Sequence, residues 1–261
     1  MINKNYISIL MTNYNKGEFL NRSLKTVCSQ SFKNYEIIIF DDSSTDDSIN
    51  IIKKYKKVKL IVNKFNNKKK SGPLNQIKGI IECFKKSKGN IICLLDGDDC
   101  FKKDKLITID KFFNNNKKLN CVFDIPLHSR AQFNFKKKIK RHSIWPTIFP
   151  TSCISLRRNF FINFIKNVKK KNYSNLEIDA RLTIFSKFYM NEYNILNKKL
   201  TYYNYDQNGI TAKITRFSKI WWIRRSEAFS YLRIIMKKKK KLFVFSFDYY
   251  FTKFLTFLFI K

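Results

Sequence analysis

Apolar positions in the first hundred residues follow two alternating periods. Tyr6-Ile7-Ser8-Ile9-Leu10-Met11, Glu36-Ile37-Ile38-Ile39-Phe40, Val58-Lys59-Leu60-Ile61-Val62 and Asn90-Ile91-Ile92-Cys93-Leu94-Leu95 are apolar runs of strand length. The second of these is too continuously apolar for a sheet wetted on one face. Between the runs, apolar residues recur at helical spacing: Phe19, Leu20, Leu24, Val27 and Cys28; then Ile49, Ile52 and Tyr55; then Ile77, Ile80, Ile81 and Phe84. The order β-α-β-α-β-α-β predicts an α/β fold with a mostly parallel sheet and helices on both faces.

Polar clusters follow three of these strands: Asn13–Asn15, Asp41–Ser44 and Asp96–Asp99. In open parallel sheets ligands bind beyond the carboxyl ends of the strands, so all three clusters are expected at one binding edge. Asp96-Gly97-Asp98-Asp99 packs three acids into four residues. Like charges that close repel by about 4 kcal/mol at intermediate dielectric. A hard divalent ion with oxygen ligands would offset the repulsion, and so would a Lys or Arg side chain. Ser44 or Thr45 is expected to cap the second helix, with Asp46 and Asp47 suiting its positive end.

The pattern is less regular between 101 and 215. Leu106–Phe113 and Asn175–Phe188 have helical spacing, while Asn120–Ile125, Ser152–Leu156 and Tyr202–Tyr205 resemble strands. Residues 213–261 then hold 13 Lys or Arg and only 2 acids, including the run Lys237–Lys241. Leu242–Ile260 is a 19-residue segment with nine aromatic residues, interrupted by Asp248 and Lys253. Each of those charges opposes insertion at the bilayer centre by about 2.5–3.5 kcal/mol, nearly cancelling the apolar gain. The expectation is a helix lying in the interface of an anionic membrane surface beside the lysines. The alternative is a helix packed on the domain.

Composition narrows the partners. The 261 residues carry 53 Lys and Arg against 19 Asp and Glu, a net charge of +34, which implies an anionic partner. A nucleic-acid binder is one reading, but the basic residues cluster terminally and no recognised nucleic-acid-binding motif is present, so no nucleic-acid partner is expected. The cysteines Cys28, Cys83, Cys93, Cys100, Cys121 and Cys153 are scattered without a C-x-x-C pair, as apolar fillers in a reducing cytosol would be. The chain enters its first strand without a charged leader, so the expected location is cytoplasmic, on the inner face of the cell membrane.

Four segments together resemble the large inverting glycosyltransferase family 2. They are Ser8–Asn15, Ser29-Gln30-Ser31-Phe32, Tyr35–Asp46 and Gly89–Asp99, which cover about residues 6–110 in the family's order and spacing. The resemblance implies a GT-A fold, a Rossmann-like sheet flanked by helices, here with a basic, aromatic-rich helical extension. It divides the chain into a nucleotide-sugar-binding half (1–100), an acceptor-binding half (101–215) and a membrane-associating extension (216–261). It also implies a nucleoside diphosphate sugar donor, a glycan or lipid-linked acceptor, and Mg2+ or Mn2+. Thr12 and Tyr14 match the family's base-binding pair, with the ring stacking on a pyrimidine. Asp42 matches the carboxylate that accepts a hydrogen bond from the base, favouring uracil or thymine.

Asp96-Gly97-Asp98 matches the family's DxD signature. Asp96 or Asp98 would face the ribose, and Asp98 or Asp99 would hold the metal; the sequence leaves the division open. Gln76 stands where many members have Arg. The family's base, an Asp at the start of a late helix, matches Asp179 in Leu176–Leu182, with Glu177 as the alternative and Asp124, Glu192 and Asp206 as rivals. Residues i and i+2 on a helix point about 200° apart, so only one of Glu177 and Asp179 can face the cleft. Tyr203–Thr211 lacks the His or Arg that members carry there, with Asp206 or Gln207 as substitutes. That gap and the split acid pair keep an inactive nucleotide-sugar-binding relative in view. His128 and His142 read as structural or surface residues, and Lys68–Lys70 as a solvated loop or a flank to the diphosphate.

Overall fold

Alternate residues of the central strands enter two separate cores, and this fixes the layering. The computed structural model describes residues 5–63, 72–128, 148–167, 173–190, 193–204, 209, 214–243 and 245–260. Within them run β1 (Ile7–Asn13), α1 (Gly17–Cys28), β2 (Tyr35–Asp41), α2 (Ser48–Lys53), β3 (Val58–Val62), α3 (Gly72–Lys86) and β4 (Ile91–Asp96). β3, β2, β1 and β4 are adjacent in that order and all parallel. Leu10, Ile38, Ile92 and Leu94 point into one core with α3; Ile9, Ile37, Ile39 and Cys93 point into the other with α1 and α2. Burial on both faces is why these strands read as unbroken apolar runs.

The second half extends the same sheet. β5 (Cys100–Phe101), α4 (Lys105–Asn115), β6 (Cys121–His128), β7 (Ile154–Arg157), α5 (Arg158–Asn167), α6 (Ile178–Phe185) and β8 (Tyr193–Tyr203) follow in chain order. The full order is β3-β2-β1-β4-β7-β6-β8-β5, with β7 antiparallel to both β4 and β6. α4 covers the face shared with α1, whereas α5 and α6 join α3 on the other. The expected α/β fold with flanking helices is present.

Several local expectations are corrected. The segment Ser152–Leu156 begins as a 3-10 turn at Thr151–Cys153 before β7. Of the strand expected at Tyr202–Tyr205, Tyr202 and Tyr203 close a much longer one, β8, whose middle is Asn197-Lys198-Lys199, and Tyr205 lies outside the described residues. Its polar, exposed centre hides β8 from a hydrophobicity reading. Ser44 and Thr45 do not cap α2; Ser44 Oγ instead donates to Asp41 and accepts from Asn15 N. Asp46 ties two helix starts together, accepting from Gly17 N at 2.8 Å and Ser48 N at 3.0 Å. The C-terminal portion holds two helices, α7 (Lys219–Lys238) and α8 (Phe247–Ile260). The cysteines are free, and all but Cys28 are buried.

Candidate active site

The carboxyl ends of β1, β2 and β4 lie side by side, and the polar side chains they deliver are locked to one another. The backbone enters the left-handed region at Asn15 (φ 48°) and Ser43 (φ 65°), immediately past β1 and β2. Such backbone in non-glycine residues persists only where surrounding contacts hold it. Those contacts are visible: Asn15 Oδ1 accepts from Thr45 N at 2.8 Å, and buried Asp41 accepts from Asn13 Nδ2 at 2.7 Å and Ser44 N at 2.8 Å. On this rigid rim Tyr14 stands 56% exposed, its ring open to solvent. Asp42 is clamped by two amides, Asn63 Nδ2 and Asn75 Nδ2, each at 2.7 Å.

The three acids after β4 have different surroundings. Asp96 Oδ1 accepts from Gln76 Nε2 at 2.8 Å and Thr12 Oγ1 at 3.3 Å. Asp98 meets the ammonium of Lys16 at 2.7 Å. Asp99 is fully buried, with Oδ2 accepting from Ser152 Oγ and Oδ1 from Asn204 N at 2.8 Å. Gly97 is required by its neighbour: a Cβ there would stand 2.7 Å from Asn13 Oδ1.

Electrostatics set these acids apart. Burial, then the Asp98 charge, pushes Asp96 up to about 7. Burial and the charges of Asp98 and Asp96 raise Asp99 well above the carboxylate range. Carboxylates raised in this way gain from a cation, and Lys16 already supplies one at Asp98. The hard oxygen donors suit Mg2+ or Mn2+. Among the described residues, however, no group of three His, Cys, Asp or Glu converges on one point. An ion at Asp98 would therefore need oxygen ligands from elsewhere, as Mg2+ commonly takes from a substrate's phosphates.

The charge of Asp179 reaches the acidic turn. This residue is the second of α6, and its charge is one of the influences that raise Asp96. Burial, then Glu177, pushes Asp179 itself up to about 7. Glu177 is buried against α7, where Arg224 Nε donates to it at 2.6 Å. The Glu177 carboxylate is thus engaged by Arg224, whose charge also reaches Asp179. The rival Asp124 is fully buried under the site: Lys105 Nζ reaches Asp124 Oδ1, Ser152 O and Thr201 Oγ1, each at 2.7 Å. Glu192, Asp206, Gln207, His142 and Lys68–Lys70 lie outside the described residues, as does the side chain of His128.

Residues the sequence did not single out complete the rim. Lys16 follows the β1 turn directly, and Asn75 precedes Gln76 on the first turn of α3. Ser152 braces the acidic turn twice, accepting from Asp96 N at 3.0 Å while donating to Asp99. Asn204 N donates to Asp99, so the end of β8 adjoins the acidic turn, and burial and the charges of Asp99, Asp96, Asp98 and Asp179 raise the Tyr203 hydroxyl. The place of Tyr203 at the end of a strand and at the head of the late segment Tyr203–Thr211 were the signals for this in the sequence.

Comparison with known proteins gives a consistent answer. The model of Glycosyl transferase family 2 matches residues 8–194. An uncharacterized glycosyltransferase of Rickettsia conorii is 38% identical over 124 residues, 47% of this chain and 19% of that protein. The Escherichia coli UDP-Glc:alpha-D-GlcNAc-diphosphoundecaprenol beta-1,3-glucosyltransferase WfaP is 36% identical over 112 residues, 42% of each chain. The chain thus spans less than half of either relative. In structure, S. aureus TarS 1-349 in complex with UDP-GlcNAc matches with a TM-score of 0.65 at 15% identity, over 87% of this chain and 66% of that one. The Pyrobaculum calidifontis mannosyltransferase PcManGT in complex with GDP-Man and Mn2+ matches with a TM-score of 0.59 at 14% identity, over 93% and 66%.

Proposed function

The chain belongs to glycosyltransferase family 2, and from that premise we propose that it moves a sugar from a nucleoside diphosphate, UDP before dTDP, onto an acceptor hydroxyl with inversion. The observation that carries this reading is that Asp179, at the start of α6, lies within electrostatic reach of the acidic turn, its charge being one of those that raise Asp96. A base and a leaving-group site must lie on opposite sides of the reacting sugar carbon, and in this reading Asp179 and the acidic turn take those two places.

The residues divide the work. Tyr14 stacks on the pyrimidine, and Asp42, held in one orientation by Asn63 and Asn75, accepts from the base N–H. Gln76 and Thr12 orient Asp96 toward the ribose. Asp98 would hold the ion, while Asp99, with both oxygens engaged, fixes the shape of the turn. When bound, Mg2+ or Mn2+ would stabilise negative charge on the departing diphosphate. Asp179 takes the proton of the acceptor hydroxyl as that oxygen attacks, in a single displacement. A group that must be ionised to act, yet is raised to about 7, is suited to general-base work near neutrality.

The donor assignment is supported by UDP-Glc in the name of WfaP and by UDP-GlcNAc in the TarS complex. The lipid-linked diphosphoundecaprenol acceptor of WfaP supports an acceptor of that kind, or a growing surface glycan, here. In this reading residues 1–100 serve the donor and 101–215 the acceptor. Release of UDP from UDP-sugars is the test: the wild-type chain releases UDP in the presence of acceptor and Mn2+, and Asp179→Asn does not. Equal release by the two proteins would overturn the assignment.

A further inference from the structure

α8 is amphipathic in the wrong sense for a helix on a water-soluble surface. Its polar residues face inward: Lys253 Nζ donates to Ser226 Oγ at 2.8 Å and Ser230 Oγ at 2.7 Å, and Thr256 Oγ1 to Trp222 O at 3.3 Å. Arg225 pairs with Asp248, and its Nε donates to Thr252 at 3.2 Å. The charges that interrupt the apolar segment in sequence are thus consumed by α7. The opposite face carries Phe247 (83% exposed), Tyr250, Phe251, Phe254, Phe257 and Leu258, all open to solvent. Their spacing of three and four residues makes one continuous stripe. Scattered apolar residues on a surface are ordinary, but an aligned stripe marks a contact surface.

Charge decides what the stripe contacts. Lys237–Lys241, exposed at the end of α7, lie just before α8 in the chain. Thr256 meets Trp222 while Tyr249 meets Phe229, so the helices are antiparallel. The start of α7, with exposed Arg216, Phe217, Lys219 and Ile220, therefore borders the far end of α8. An apolar stripe with cationic groups at both ends would repel a second copy of itself, and its phenylalanines offer nothing specific to a nucleic-acid backbone. The combination matches a bilayer with anionic headgroups. At 14 residues α8 is about 21 Å long, short of the roughly 30 Å hydrocarbon core. No helix among the described residues is long and apolar enough to cross a membrane.

We propose that the outward face of α8, with the basic residues flanking it, docks this protein flat on an anionic bilayer, Phe247, Phe251 and Phe254 entering the interface. The docked face is joined to the catalytic cleft through one helix: Arg225 of α7 holds α8, and the adjacent Arg224 holds Glu177 beside Asp179. Docking would therefore set the height of the cleft above the bilayer, where a lipid-linked acceptor presents its sugar. The proposal itself needs no donor or catalysis.

The test is sedimentation of the full chain with vesicles of phosphatidylglycerol and phosphatidylcholine, against phosphatidylcholine alone and a vesicle-free control. The wild type is expected to pellet with the anionic vesicles only. The double variant Phe247→Glu, Phe254→Glu should stay in the supernatant with an unchanged melting curve, because both side chains face outward. Replacing Lys237–Lys241 by Gln should weaken binding at least tenfold, since each lysine near the surface contributes about a factor of five. Should the double variant fail to fold, Phe254→Trp serves instead, its emission shifting to the blue on anionic vesicles. Wild-type protein remaining in the supernatant, undiminished binding by the Glu variant, or unshifted Trp emission would overturn the proposal. A wild-type dimer that the Glu variant dissociates, without vesicle binding, would assign the stripe to a second copy and overturn it equally.

Discussion

Lys16 Nζ lies 2.7 Å from Asp98 Oδ2, so the acidic turn after β4 already holds a cation, tethered to the first residue of the α1 boundary. The sequence poses a choice between a divalent ion and a basic side chain as the neutraliser of this turn. The folded chain uses the basic side chain, at the carboxylate proposed here as the metal ligand. Lys16 and the ion then compete for one group. Lys16→Ala is expected to tighten Mn2+ binding by up to about fivefold, the equivalent of about 1 kcal/mol for a partly buried ion pair. Electron paramagnetic resonance of free Mn2+ measures it, and weaker binding by the variant would show that Lys16 supports the ion instead.

Asp179 gives a pH dependence with a definite sign. Its folded value of about 7 lies above the ordinary 3.8 because of burial and Glu177. The protonated acid is the form the folded state prefers, so its contribution to stability is full below pH 3.8 and lost as pH rises through about 7. Asp179→Asn should therefore flatten the fall in melting temperature across that window. Transfer runs the other way: only the ionised acid accepts a proton, so the wild-type rate should climb through about pH 7. A rate independent of pH over this range would exclude Asp179 as the base.

Asp42 is held by two amides before any ligand arrives, and this preorganisation should appear in base selectivity. Hydrogen bonds to a charged group contribute about 1.5–3 kcal/mol. Asp42→Ala should accordingly weaken UDP by roughly ten- to a hundredfold and erase any preference for UDP over CDP. Isothermal titration of both nucleotides decides the matter, and an unchanged preference would remove Asp42 from base recognition.

Lys105 and Asp124 lie fully buried beneath the acidic turn and share Thr201 between them. Removing one partner strands a buried charge, which typically destabilises by about 3–5 kcal/mol. Lys105→Met should show that loss in urea denaturation, and the pair Lys105→Met, Asp124→Leu should recover much of it. A single variant as stable as wild type would contradict the buried pair.

The parallel half of the sheet was legible because its strands are buried on both faces: Ile37, Ile38 and Ile39 alternate between two cores, so every position is apolar. The clustering of Tyr14, Asp42 and Asp96–Asp99 followed from strand order alone. What stayed hidden depended on contacts between distant segments. Nothing near Glu177 in the chain announces Arg224, and Asp124 reads as a free acid until Lys105 is brought beneath it. Only the end of β8 was legible, at Tyr202 and Tyr203, because its centre, Asn197-Lys198-Lys199, is polar and exposed, while α5 carries few cues beyond its phenylalanines. In the C-terminal extension the aromatic content was plain, but the direction each face of α8 turns was not. Only α7 explains why Asp248, Thr252, Lys253 and Thr256 point inward.

The central claim is that the carboxylate of Asp98 and a nucleoside diphosphate share one divalent ion. Isothermal titration of UDP into wild type and Asp98→Asn, each with Mn2+ and with chelator, tests it directly. The account predicts tight binding only for wild type with Mn2+, and equally weak binding in the other three conditions. UDP affinity that is the same with and without Mn2+ in the wild type would contradict it.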